Sequence, residues 1–149
     1  MTARLTGPIT GPDFARAAQA LVGCPFRLHG RDPATGLDCI GLLESAMIAC
    51  GLSASLPVGY TLRTGTWRGL AGIAAGLGFI EHSGPFAAGD VVLFQPSPMQ
   101  LHFAVVTPDG AGLIEAHAGL RRVVISTLPS PSTPGHHPPI AQWRLASPP

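Results

Sequence analysis

Residues 39–50, CIGLLESAMIAC, are the stretch that most constrains how this chain can fold. Glu44 is the only charged residue among them. Asp38 just before the stretch is a typical helix cap, and Gly51 just after it is a typical helix stop. Because a helix that is apolar on nearly every side must be buried, we predict a helix over 39–50 in the middle of the domain.

The composition fits one compact domain, which we expect to span residues 1–149. Hydrophobic residues make up 46% of the chain and charged residues 11%, with a net charge of +1. The basic residues are all arginine and are spread along the chain, so we predict no nucleic-acid partner. No apolar run has the length of a membrane span or the features of a secretory signal, and we expect cytoplasmic synthesis and no membrane span.

Hydrophobic periodicity predicts helices first and strands afterwards. A first amphipathic helix is expected over 13–23 with Asp13 as its cap, and a short, glycine-weakened helix over 67–78. Residues 128–139 are a loop rich in proline, serine and histidine. Asp109-Gly110 predicts a hairpin. The expected strands are 91–94, 102–106, 113–117, 122–126 and 140–145. The predicted class is therefore α+β, with an antiparallel sheet.

Cys39 occupies the first turn of the predicted central helix. Backbone N–H groups are unpaired there and the helix dipole favours negative charge, so a thiolate would be stabilised. The same N–H groups can bind the oxyanion of an acyl-transfer intermediate. The alternative is that Cys39 is a small buried hydrophobic residue, as free cysteines commonly are.

A nucleophilic cysteine needs a base, which is normally histidine. His102 opens an apolar strand, although a polar residue there is also typical of a solvated strand end. Glu115 and His117 alternate onto one face of the next strand and can lie beside His102, where either could orient the imidazole. Their alternative role is an ion pair with Arg121 or Arg122.

The remaining histidines carry less weight. His29 and His82 are isolated in the sequence, and His136 and His137 lie among prolines without companions at ligand spacing. The three cysteines also lack zinc-ligand spacing. We therefore predict no metal and no cofactor, and we expect the thiols to be reduced.

Four motifs in order resemble the NlpC family of papain-like cell-wall peptidases. They are VGCPFRLHGRDPATGLDCIGLL, GDVVLF, LHFAVV and DGAGLIEAHAG. The family form is a Pro-Tyr pair, Asp-Cys-Ser-Gly-Leu, Gly-Asp-Leu, a strand opened by histidine, and a strand with a third polar residue. The resemblance covers about residues 13–126. It implies a papain-like fold in which the nucleophile begins a central helix packed on an antiparallel sheet.

Carried over residue by residue, the resemblance implies that Cys39 is the nucleophile and His102 the general base. The third polar position falls on Glu115 in the Leu-Ile-X-Ala frame, with His117 two residues further on the same face. Asp38 matches the family aspartate that helps to hold the free amine of an L-Ala stem peptide.

Two substrate-binding positions depart from the family. Ile40 replaces the serine that contacts the stem-peptide amine, and Phe26 replaces the tyrosine of the Pro-Tyr pair. Both departures concern amine recognition and leave the reacting groups in place.

The resemblance implies a cysteine peptidase that hydrolyses γ-D-glutamyl-type amide bonds in peptidoglycan stem peptides. The hydrophobic residue after the cysteine, the short single domain and the absence of a signal peptide resemble phage, prophage and gene-transfer-agent tail peptidases. The expected partners are stem peptides and phage-like tail proteins, in a particle that acts on the cell wall. One alternative is an inactive or weakly active structural adaptor of such a tail. Another is an amidase or acyltransferase acting outside the cell wall.

Overall fold

A computed structural model describes residues 8–52, 72, 74–97, 100–130, 132 and 137–146. Two helices come first, separated by a two-stranded hairpin, and six strands follow them. The predicted α+β class is confirmed. Of the helix predicted over 67–78, residues 67–71 and 73 lie outside the described residues, while residues 72 and 74–76 are helical. The elements are α1 (Gly11–Gln19), β1 (Arg31–Asp32), β2 (Gly36–Leu37), α2 (Cys39–Ala49), β3 (Phe79–Glu81), β4 (Val91–Ser97), β5 (Gln100–Val106), β6 (Gly112–His117), β7 (Arg122–Thr127) and β8 (Ala141–Leu145).

The six later strands form one sheet in the order β3-β8-β4-β5-β6-β7, and every neighbouring pair is antiparallel. The last strand, β8, therefore lies between β3 and β4. The hairpin predicted at Asp109-Gly110 joins β5 to β6. The Asp109 carboxylate accepts hydrogen bonds from the Thr107 hydroxyl at 2.6 Å and from the Ala111 N–H at 2.9 Å, which closes the turn.

Helix α2 lies in the middle of the molecule, as its composition predicts. Eight of its residues are buried, from Cys39 to Met47. It packs between α1 and one face of the sheet, which it meets at β5 and β6. No helix in the described ranges is long and apolar enough to cross a bilayer.

The charge of Glu44 within this apolar helix is accounted for by an ion pair. Its carboxylate accepts a hydrogen bond from the Arg31 guanidinium at 2.6 Å. A charge in a buried helix needs such a partner because an uncompensated buried ion is costly. The pair joins β1 to α2.

Helix α1 begins earlier and ends earlier than the predicted span of 13–23. It begins at Gly11, and its cap is Thr10 rather than Asp13. The Asp13 N–H donates to the Thr10 hydroxyl at 3.2 Å, and the Asp13 carboxylate accepts from the Thr10 N–H at 3.0 Å. This is a capping box in which aspartate takes the usual place of glutamate, three residues after the cap.

Asp90 in the GDVVLF motif is the centre of a hydrogen-bond network between the turn before β4 and strand β8. It is completely buried. Its carboxylate accepts two hydrogen bonds from Arg144, each 2.8 Å long, one from the Gln142 amide at 2.8 Å and one from the Ala87 N–H at 2.9 Å. These bonds raise the pKa of Arg144. The turn before β4 is thereby held to β8.

We predict that Asp90→Asn lowers the free energy of unfolding by about 2–4 kcal/mol, because one of the two accepting oxygens becomes an NH2 donor that faces an N–H group of Arg144. Urea denaturation measures the change. Asp109→Asn is the matched control, since it changes an aspartate in an exposed turn and should cost less than about 1 kcal/mol. Equal stability of Asp90→Asn and the unsubstituted protein would show that the Asp90 network does not support the fold.

Candidate active site

The structure brings all seven residues singled out in the sequence to one cleft of about 420 Å³. The cleft lies where the first turn of α2 meets the loop before β1, the start of β5 and the end of β6. The seven are Phe26, Asp38, Cys39, Ile40, His102, Glu115 and His117, and the remaining walls are Leu28, His29, Arg31, Pro96, Gln100, Leu101, Ala116, Ala118 and Gly119.

Asp38 caps α2 as predicted and also holds the neighbouring loop. One carboxylate oxygen accepts a hydrogen bond from the Gly41 N–H at 2.7 Å, and the other accepts from the His29 N–H at 3.0 Å. The residue is only 7% exposed. Both oxygens therefore bind backbone groups, and the loop is fixed against the first turn of the helix.

Gly41 permits this close packing. A Cβ atom at position 41 would lie 2.0 Å from the carbonyl oxygen of Gly30, which is far inside van der Waals contact. No larger residue fits unless the loop moves. The helix N-terminus and the loop thus meet backbone to backbone beside Cys39.

Cys39 begins α2 and is 5% exposed. Burial raises the pKa of its thiol, the negative charge of Asp38 acts in the same direction, and the resulting pKa is about 12. The backbone N–H groups of Phe103, Ile40 and Cys39 itself act in the opposite direction. The predicted stabilisation of a resting thiolate is therefore wrong: desolvation outweighs the helix terminus, and the resting thiol is protonated.

His102 lies beside Glu115, with 3.8 Å between the imidazole Nε2 and the carboxylate Oε1. Burial lowers the pKa of His102, the charge of Glu115 raises it, and the charge of His117 lowers it. The net direction is downward, so the imidazole is neutral at neutral pH and able to accept a proton. The Nε2 atom is the ring nitrogen that faces Glu115.

The geometry separates Glu115 from His117, which the sequence left open. The Glu115 carboxylate contacts His102 and also accepts a hydrogen bond from the Ser126 hydroxyl at 2.9 Å. The Nδ1 atom of His117 accepts from the Leu120 N–H at 3.0 Å, and this bond holds the turn after β6. Glu115 is thus the better placed of the two to orient the imidazole of His102.

The alternative ion pair of Glu115 with an arginine is not formed among the described residues. Its strand neighbour on β7 is Val124, while Arg122 lies opposite His117. The carboxylate of Glu115 points toward His102 and Ser126 instead.

His29, which sequence reasoning set aside as isolated, lines the cleft. Its φ of 61° lies in the left-handed region, which is uncommon for a residue other than glycine. This conformation turns its N–H toward Asp38. The signal available in the sequence was its place in the loop between Phe26 and Asp38, not any spacing to another histidine.

Neither a protein-family model nor a curated protein matches the sequence. Solved structures do match. NlpC2 from Trichomonas vaginalis superimposes with a TM-score of 0.60 and 15% identity, over 95% of this chain and 48% of NlpC2. The NlpC/p60 domain of the peptidoglycan hydrolase SagA gives a TM-score of 0.52 and 20% identity, over 80% of this chain and 90% of that domain.

The chain has the NlpC/p60 fold. The resemblance seen in the sequence is thus confirmed for the fold. The chain spans about half the length of NlpC2 and is similar in extent to the SagA domain. Its cleft lies at the N-terminus of the central helix and is also lined by the sheet residues His102 and Glu115.

We predict that Cys39 is alkylated slowly by iodoacetamide at neutral pH. Because the pKa of the thiol is raised to about 12, the thiolate fraction should grow about tenfold with each pH unit and reach no plateau below pH 10. Peptide mass spectrometry measures the rate at each pH. Cys24, which is half-buried, is the internal comparator. A plateau for Cys39 near pH 7 would contradict the protonated resting state.

Proposed function

We propose that the chain is a cysteine peptidase that hydrolyses amide bonds of peptidoglycan stem peptides. The observation that carries the proposal is the cleft that His102 shares with Cys39, in which the Glu115 carboxylate lies 3.8 Å from the imidazole of His102. This is the nucleophile, base and orienting group that acyl transfer requires. The NlpC/p60 fold, which SagA uses as a peptidoglycan hydrolase, supports the choice of substrate.

In the proposed reaction His102 accepts the Cys39 proton as the sulfur attacks the amide carbonyl. The carbonyl oxygen becomes an oxyanion that backbone N–H groups at the start of α2 stabilise. His102 then donates the proton to the leaving amine, and a thioester remains on Cys39. Water, deprotonated by His102, attacks the thioester, and the carboxylic acid product leaves as the thiol is restored.

Glu115 stabilises the imidazolium that exists between these steps. Its carboxylate faces Nε2 of His102, so the developing positive charge lies opposite a negative one. The protonated resting thiol makes this role important, because the ion pair of thiolate and imidazolium has to form during the reaction.

We propose γ-D-glutamyl-type bonds as the target, following the family resemblance. Phe26 and Ile40 both line the cleft where the family has tyrosine and serine, so this wall offers apolar surface in place of two hydroxyls. Asp38 is the group proposed to hold the stem-peptide amine. Because each of its oxygens already accepts one backbone hydrogen bond, the amine would use the remaining lone pairs.

We propose a phage-like tail or gene-transfer-agent particle as the setting, with tail proteins as partners. The hydrophobic residue at position 40 supports it through the resemblance to tail-associated peptidases. Mass spectrometry of particles purified from the source culture tests the setting. Detection of the chain with tail proteins is expected, and its presence in the cytosolic fraction alone would contradict it.

A second candidate function is a structural adaptor that keeps the fold without activity. The observation that favours it is the burial of the thiol. Cys39 is only 5% exposed, and the pKa of its thiol is raised to about 12. Cell-wall digestion separates the two candidates, because an adaptor releases no products.

We predict that Cys39→Ala abolishes digestion of purified peptidoglycan by the full chain, because neither Cys24 nor Cys50 lines the cleft to form the thioester. Release of soluble muropeptides, followed by liquid chromatography, measures it. Cys24→Ala is the matched control and should digest at the parental rate, since Cys24 does not line the cleft. Undiminished digestion by Cys39→Ala would refute the proposed mechanism.

We predict that Glu115→Gln lowers kcat by about a hundredfold, because the amide cannot stabilise the imidazolium. His117→Gln is the matched control on the same strand face and should change kcat by less than about threefold, since its ring holds a turn. Steady-state hydrolysis of a stem-peptide substrate measures both. The reverse order of effects would assign the third role to His117.

A further inference from the structure

His102 and Glu115 line a second, smaller cavity as well as the cleft. It has a volume of about 200 Å³, and neither Cys39 nor Asp38 belongs to its wall. The Glu115 side chain therefore borders open space on two sides. The other wall residues are Phe94, Pro96, Leu113, Ser126, Thr127, Pro129 and His137.

Ser126, which lines this cavity and not the cleft, holds the Glu115 carboxylate in place. It lies on β7 opposite Leu113, two residues from the Val124 that pairs with Glu115. Positions two apart on a strand share a face, so Ser126 and Glu115 are diagonal neighbours. The Ser126 hydroxyl donates to Oε2 of Glu115 at 2.9 Å, while Oε1 lies 3.8 Å from His102 Nε2.

We propose that Ser126 is a positioning residue for the base of this site. Its hydroxyl fixes one oxygen of Glu115, and the other oxygen is thereby kept facing His102. The role rests on the proposed function, in which His102 is the base. Glutamate has three rotatable bonds and loses considerable side-chain entropy when ordered, so a hydroxyl bound to the far oxygen restricts the orientations open to the carboxylate.

Titration of His102 reports this positioning directly. The charged and titratable groups around it are Glu115 and His117 on β6, Cys39 and Asp38 at the start of α2, His29 and Arg31 on the loop side, and His137 near β8. Of these groups, Glu115 is the one to which the Ser126 hydroxyl donates a hydrogen bond. A change in the titration of His102 after loss of the hydroxyl therefore reports a change at Glu115.

NMR titration of the histidine ring signals in the full chain tests the proposal, with His102→Gln used to assign the His102 signal. Glu115 raises the pKa of His102, so Glu115→Gln should lower it. Ser126→Ala should lower it in the same direction, and Ser126→Thr, which keeps a hydroxyl, should restore the parental value. Ser130→Ala, which removes a hydroxyl in the loop after β7, should leave it unchanged.

Hydrolysis gives a second readout. We expect kcat of Ser126→Ala to fall about tenfold with KM little changed, and Ser126→Thr to recover most of the loss. If His102 titrates identically in Ser126→Ala and the parent, or if Glu115→Gln leaves its pKa unchanged, the positioning role is refuted. If the parent protein digests no substrate but Ser126→Ala still shifts the titration, the proposed peptidase fails and the contact stands.

Discussion

The arrangement of the site depends on the two hydrogen bonds that the Asp38 carboxylate accepts. One joins it to the first turn of α2 and the other to the loop at His29. The bond from Gly41 caps a buried apolar helix, whose first N–H groups have no partner within the helix. Cys39, the next residue, is positioned by this cap. The cleft exists because the capped helix, the loop and the strand ends of the sheet meet there.

Two opposing effects act on the Cys39 thiol, and their sizes decide its resting state. A helix N-terminus typically favours a negative charge by about 0.3–1 kcal/mol. Desolvation and the Asp38 charge raise the pKa to about 12, which corresponds to about 4 kcal/mol in favour of the protonated form. The helix terminus therefore cannot ionise the sulfur by itself. In this account the terminus serves the oxyanion, and the proton is removed by His102 during attack.

Much of the fold could be predicted because its signals are local. The apolar run and the Asp38 cap indicated α2, and the Asp109-Gly110 turn indicated the β5–β6 hairpin. The start of α1 was misplaced because Asp13 is a cap-type residue, although it acts here as the reciprocal partner of Thr10. The three-residue β3 was missed because so short a strand shows no alternation, and its pairing with β8 joins distant parts of the chain.

The residue types of the candidate site could be predicted, but their environment could not. Strand periodicity placed Glu115 and His117 on one face, yet only the hydrogen bonds of Ser126 and Leu120 distinguish their surroundings. Burial of the thiol depends on the packing of all the elements around α2, and no single stretch of sequence encodes it.

Formation of a thioester on Cys39 is the central claim, and intact-protein mass spectrometry tests it most directly. The full chain would be mixed with a purified stem peptide and quenched in acid within the first turnover. The account predicts a mass increase equal to the acyl half of the substrate, mapped to Cys39 and absent from Cys39→Ala. Substrate cleavage with no adduct on Cys39 at any quench time, or with equal cleavage by Cys39→Ala, would contradict it.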